Sequence, residues 1–130
     1  MPSRRHKLLW SYQFVLFLCL SLLLAGCNSQ IDELELASRS YKAHRGYASL
    51  EIIHRYLHKG MMRSKVEELL GEADYSPIKG QYYYSSDRSE VVGSGKERMN
   101  VPVGLVVDYR DEQGNLTGQL QSFWLGRIGE

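Results

Sequence analysis

The sequence predicts an α+β fold: two short helices packed on a three-stranded antiparallel sheet, in the order α-α-β-β-β. Three observations carry this. Apolar residues recur at helical spacing in two neighbouring stretches, Leu50-Ile53-Leu57 and Val66-Leu69-Leu70, and glycine follows each at Gly60 and Gly71. From Gln81 onward the pattern switches to alternation in segments rich in Tyr and Val. Between the last two such segments stands Asp111-Glu112-Gln113-Gly114-Asn115, which is turn chemistry. Helices followed by a meander form two layers around one core.

The N-terminus comes before that domain. Arg4, Arg5 and Lys7 precede a 12-residue run, Phe14 to Ala25, broken only by Ser21. A signal-peptide core is typically about 7–15 residues, and a spanning helix needs about 20. Ser11, Tyr12 and Gln13 keep the longer stretch from reading as a span. Ala25 and Gly26 are small, as a peptidase subsite requires. The run Leu24-Ala25-Gly26-Cys27 resembles the lipobox of bacterial lipoproteins. That resemblance implies that residues 1–26 are a leader, and that Cys27 becomes a lipidated N-terminus carrying diacylglycerol and a fatty acyl chain such as palmitate. Each buried methylene contributes about 0.8 kcal/mol, so two or three chains anchor a protein durably. Asn28 stands where Asp commonly retains lipoproteins in the inner membrane. In a Gram-negative host the resemblance therefore implies the outer membrane, with the domain facing the periplasm.

Removing the leader takes away three basic residues and leaves 13 basic against 15 acidic, a net charge of −2. That balance argues against nucleic-acid binding. Cys19 lies in the leader and Cys27 is taken by lipid, so no intramolecular disulfide is expected. Residues 27–44 are expected to be the lipidated N-terminus and a flexible tether, because Asn28 to Ser40 is polar and acidic. Residues 45–130 are expected to be the small domain.

Within it, Ser49 to His58 reads as the first helix, capped by Ser49, and Arg63 to Leu70 as the second. Lys59-Gly60-Met61-Met62 joins them. Gln81 to Ser86 is the first strand, with Tyr82 and Tyr84 on one face and Tyr83 on the other. Asp87 to Pro102 is polar, holds Gly93 and Gly95, and reads as a long mobile loop. Val103 to Arg110 is the second strand. Its set Leu105, Val107 and Tyr109 is expected to face the helices, and its set Val106, Asp108 and Arg110 the open side. Leu116 to Leu125 is the third strand.

The segment from Gly60 to Gly71, with its Gly60-Met61 pair, Val66 and closing Leu70-Gly71, resembles the helix-turn signature of the SmpA/OmlA (BamE-like) lipoprotein family. Leu105 to Tyr109, followed by Gly114 and Leu116, is similar to that family's hairpin, and Tyr82 to Tyr84 sits where its first strand lies. The likeness spans roughly Leu57 to Trp124. It departs at Met62, where the family has a capping Ser or Thr, and at Glu72-Ala73, where it often has a proline pair. The resemblance implies a scaffold or modulator in outer-membrane protein assembly. The alternative is a periplasmic binding or inhibitor module of the same fold, of the kind that inhibits β-lactamases, recognising another protein or an envelope ligand.

Chemistry-bearing residues do not assemble into a catalytic pattern. His54 and His58 have a metal-gripping spacing, but Arg55 stands where a zinc protease needs Glu, and no cysteine is available. Gly93-Ser94-Gly95-Lys96 lacks the flanking residues of a phosphate loop, with Glu90 and Glu97 at the decisive places. Asp108, Asp111 and Glu112 gather at a turn without a nucleophile-base pair. No enzyme activity, metal or cofactor is therefore expected. The candidate partner surface is aromatic and glycine-bearing: Tyr83, Phe123, Trp124, Gly93 and Gly95. Phe123 and Trp124 are adjacent, so one should face the helices and the other the open side.

Overall fold

The computed structural model describes the backbone of residues 5–129 and the side chains of residues 11–20 and 29–129. The side chains of Cys27 and Asn28 lie outside those described. The chain divides into two units, Met1–Glu33 and Leu34–Glu130. Helix α1 spans Arg5–His44. In the first unit its described apolar side chains, Phe14 and Phe17 among them, are exposed. No helix among the described residues is long and apolar enough to cross a membrane.

The second unit is α+β. It holds the end of α1, α2 (Tyr47–Tyr56), α3 (Arg63–Leu70) and four strands: β1 (Tyr75–Ile78), β2 (Gln81–Val92), β3 (Met99–Asp108) and β4 (Ser122–Arg127). The strands form one antiparallel sheet in the order β1-β2-β3-β4.

Several expectations need correction. The tether is helical, and from Leu34 onward it belongs to the folded unit. Leu34, Ala37, Ser38 and Tyr41 fall at i, i+3, i+4, i+7 and form a face that joins the core. Ser38 Oγ donates to the Leu69 carbonyl at 2.8 Å, and Tyr41 Oη to the Ser85 carbonyl at 2.7 Å. The helix ends at Arg45, whose φ of 54° is a left-handed turn. The Arg45 guanidinium stacks on the Tyr41 ring at 4.9 Å and donates to the carbonyls of Leu70 and Glu72 at 3.4 and 2.9 Å. One side chain thus ties the end of α1 to the end of α3.

Helix α2 starts earlier than its apolar pattern suggests. Gly46, not Ser49, is its N-cap, and it stops at Tyr56 with Leu57 as C-cap. Met62 does cap α3, without a side-chain hydrogen bond, and Gly71 ends that helix at φ 77°. The apolar faces of both helices meet the sheet: Leu50, Ile53, Leu57, Val66, Leu69 and Leu70 pack with Tyr84, Leu105, Val107 and Tyr109.

The sheet has four strands rather than three. The extra strand, β1, is short, exposed throughout and contains Pro77, so it lacked an alternating signal. The loop expected over Asp87 to Pro102 is mostly paired: β2 continues to Val92 and β3 begins at Met99. Its register shift between Ser85 and Ser89 hides the alternation. Gly93 and Gly95, at φ 88° and 59°, form the hairpin tip with a 3-10 turn over Gly95–Glu97. The last strand is regular only from Ser122. Before it, Gly118 and Leu120 bond the linker between α2 and α3, through Arg63 N–H to Gly118 O (2.9 Å), Gly60 N–H to Leu120 O (2.7 Å) and Leu120 N–H to Met61 O (2.8 Å). Leu120 is fully buried there.

Candidate partner-binding face

Period-two geometry sorts the sheet's side chains onto two faces. Tyr82, Tyr84, Leu105, Val107, Tyr109, Phe123 and Leu125 face the helices. Phe123 is half-buried there, its ring edge-on to His54 at 5.5 Å. Trp124 takes the opposite face and is 42% exposed.

On that open face the registers align one residue from each strand. Tyr75 pairs with Tyr83, Tyr83 with Val106, and Val106 with Trp124. The row Tyr75-Tyr83-Val106-Trp124 therefore crosses all four strands. Tyr75 and Tyr83 meet edge to face at 5.8 Å, and Tyr75 is 61% exposed. Val106 is nearly inaccessible although it faces the open side, because Tyr83 and Trp124 flank it in register. Cross-strand aromatic pairs of this kind each contribute about 0.2–1 kcal/mol. Exposed aromatic rows also mark contact surfaces.

A polar row borders the aromatic one. Gln81, Asp108 and Ser122 lie in register. Asp108 is buried, with Oδ1 accepting from Arg110 N–H and Nε at 2.9 Å each, and Oδ2 accepting from Arg110 Nη2 and from Gln81 Nε2 at 3.3 Å. Burial raises the Asp108 pKa, but these Arg110 bonds outweigh it and hold the carboxyl below its ordinary value. Arg110 thereby fixes the end of β3 beside the row.

Two clefts adjoin these rows. A cleft of about 660 Å³ is lined by Arg63, Glu67, Asp74, Tyr75 and Tyr82, among others. Arg63 is anchored in it by Glu67 (2.7 Å) and Tyr82 Oη (2.9 Å), and lies over the rings of Tyr82 and Tyr109 at 4.8 and 5.1 Å. Beneath it, Tyr109 Oη is buried without a hydrogen-bond partner among the described residues, and burial pushes that phenol's pKa well up. A second cleft of about 470 Å³ adjoins Asp108 and Arg110. Among the described residues no three His, Cys, Asp or Glu side chains gather to hold a metal. His54 packs on Phe123, and the exposed His58 has its Nδ1 3.2 Å from the Lys59 carbonyl oxygen.

The structure brings Tyr83 and Trp124 together and adds to them Tyr75 and Val106, of which only Val106 was expected on the open side from the alternation of its strand. It separates them from Phe123, which faces the core, and from Gly93 and Gly95. The hairpin tip closes beyond Met99, seven residues along β3 from Val106, or roughly 23 Å at about 3.3 Å per residue. Tyr75 carried one sequence signal, its place in a tyrosine-rich stretch, but its partner strand was not visible without the register.

Comparison with protein-family models, with curated proteins and with solved structures found no match for this chain.

Proposed function

We propose that this chain is a lipid-anchored envelope protein that acts as a scaffold or modulator in outer-membrane protein assembly, binding its partner through the open face of the sheet. In this reading Cys27 carries the lipid, Asn28 directs the protein to the outer membrane, and the domain works on the periplasmic side. It is a divergent member of the SmpA/OmlA class. The helical pair α2–α3 on an antiparallel meander is the shared part, and β1 and the end of α1 are additions.

The observation that carries the partner face is the row Tyr75-Tyr83-Val106-Trp124 on the side away from α2 and α3, with Tyr75 and Trp124 exposed. The leader pattern ending at Cys27 carries the anchor. Both point to binding rather than catalysis.

The test is affinity purification of the full-length chain from detergent-solubilised membranes. Trp124→Ala should reduce recovery of the co-purifying envelope proteins and leave the unfolding midpoint nearly unchanged. Phe123→Ala should act through stability, costing less than the roughly 3–5 kcal/mol of a fully buried aromatic truncation because its ring is half-buried. Equal recovery with and without Trp124 would remove the partner face from the account. Recovery of soluble periplasmic proteins alone, with no assembly component, would favour the inhibitor-module reading.

A further inference from the structure

The two edges of the sheet differ. β1 has four residues, an irregular register and Pro77, devices that keep an edge from pairing further. β4 has six residues in unbroken register, with neither proline nor lysine.

The hydrogen-bond phase of β4 follows from bonds at the ends of the ladders. Tyr109 N–H donates to the Gly80 carbonyl and Ile128 N–H to the Pro102 carbonyl, both at 2.9 Å. Carried along the registers, odd-numbered residues of β3 bond β2 and even-numbered ones bond β4. Ser122, Trp124 and Gly126 therefore bond inward. The N–H and C=O groups of Phe123, Leu125 and Arg127 point out of the sheet, on the side where β4 has no neighbouring strand among the described residues.

We propose that this edge pairs with the same edge of a second copy, antiparallel about a two-fold axis at Leu125. The strand is complementary to itself in that register. Phe123, Leu125 and Arg127 of one copy stand opposite Arg127, Leu125 and Phe123 of the other, so every outward donor meets an outward acceptor. On the open face Trp124 falls opposite Gly126 of the second copy. Nothing lies within 4 Å of where a Gly126 side chain would begin, so that space accepts an indole. An aromatic residue laid across a cross-strand glycine is a recognised way of pinning register. On the helix side a guanidinium falls beside a phenyl ring. Other registers lose these matches. A slip of one residue sets outward groups against inward ones. A slip of two sets Trp124 against Trp124, or Gly126 against Gly126. The paired copies share one continuous sheet with both aromatic rows on the same side. This inference concerns the edge and does not depend on the lipid anchor.

Two full-length variants, Trp124→Cys and Gly126→Cys, test the register. They form a non-hydrogen-bonded pair, with Cα atoms about 4.5 Å apart, inside the range a disulfide spans. Under mild oxidation their mixture should give a cross-linked dimer well above either variant alone, with the native cysteines setting the same background in all three samples. Light scattering in detergent gives the association state. Gly126→Lys and Arg127→Pro leave the inward ladder intact, and each should weaken dimerisation about tenfold or more while circular dichroism stays unchanged. A monomeric full-length chain overturns the proposal. So does a mixture that cross-links no better than its components, or a dimer indifferent to both edge variants. A strand of another protein found paired to β4 in place of a second copy also overturns it.

Discussion

Truncating Tyr41 separates a folded arm from a loose tether more sharply than any other substitution. The side chain is fully buried, and its hydroxyl reaches the Ser85 carbonyl across the core at 2.7 Å. Burying a tyrosine removes about 150–250 Å² from water, and at about 25 cal/mol per Å² that is roughly 4–6 kcal/mol of apolar stabilisation as an upper bound. Measured aromatic truncations fall at about 3–5 kcal/mol, so Tyr41→Ala should cost about that much. Tyr41→Phe keeps the ring and leaves the Ser85 carbonyl without its donor, a loss of about 1–2 kcal/mol. A small domain has about 5–15 kcal/mol in total, so the alanine variant should be visibly close to unfolding. Urea denaturation of a chain beginning at Leu34 reads both numbers. A second chain beginning at Gly46 should unfold at much lower urea, because it lacks Ala37, Ser38 and Tyr41 altogether. If Tyr41→Ala moved the midpoint by less than about 0.5 kcal/mol, α1 would be a tether after all and the core would be sheet and α2–α3 alone.

Three further outcomes follow from local chemistry. Met62 is an exposed N-cap without a side-chain bond, so Met62→Ser should raise stability by about 0.5–2 kcal/mol, read by the same denaturation. Arg45 holds a left-handed turn while bonding the end of α3, so Arg45→Ala should destabilise more than Arg45→Gly, by about 1 kcal/mol, because only glycine relieves the backbone. Burial raises the phenol of Tyr41 to about 12 and pushes those of Tyr84 and Tyr109 higher still. The folded state then binds these protons more tightly than the unfolded one. Stability is full below the ordinary tyrosine value near 10 and falls as pH rises above it. Melting temperature should therefore be flat up to about pH 10 and drop steeply beyond, and Tyr41→Phe should flatten part of that drop.

The helical pair was legible because its apolar residues keep a 3.6 period and glycine closes it at Gly71. The inward set Leu105-Val107-Tyr109 was legible because alternation survives in a strand with one face on the core. Val106 and Asp108, on the other face, are buried too, by flanking rings and by Arg110, and no pattern in one strand shows that. The end of α1 was missed because its buried face, Leu34-Ala37-Ser38-Tyr41, offers one leucine, two small residues and one tyrosine in an otherwise polar stretch. The helical spacing was present, but composition spoke for a tether. β1 was missed because Pro77 and uniform exposure erase alternation. Phe123 and Trp124 were separable in principle, since adjacent strand residues point to opposite faces. Which of them faced out depended on the register to β3. The aromatic row on the open face is a property of three registers at once, and it becomes visible only when the strands are paired.

The most direct test of the account is the intact mass of the protein extracted from membranes of its own host. The expected mass is that of a chain that begins at Cys27, with diacylglycerol on its sulfur and an acyl group on its amine, and the Cys27→Ala variant should carry no lipid. A chain that retains residues 1–26, or one whose Cys27 is unmodified, would contradict the anchor on which the proposed function rests.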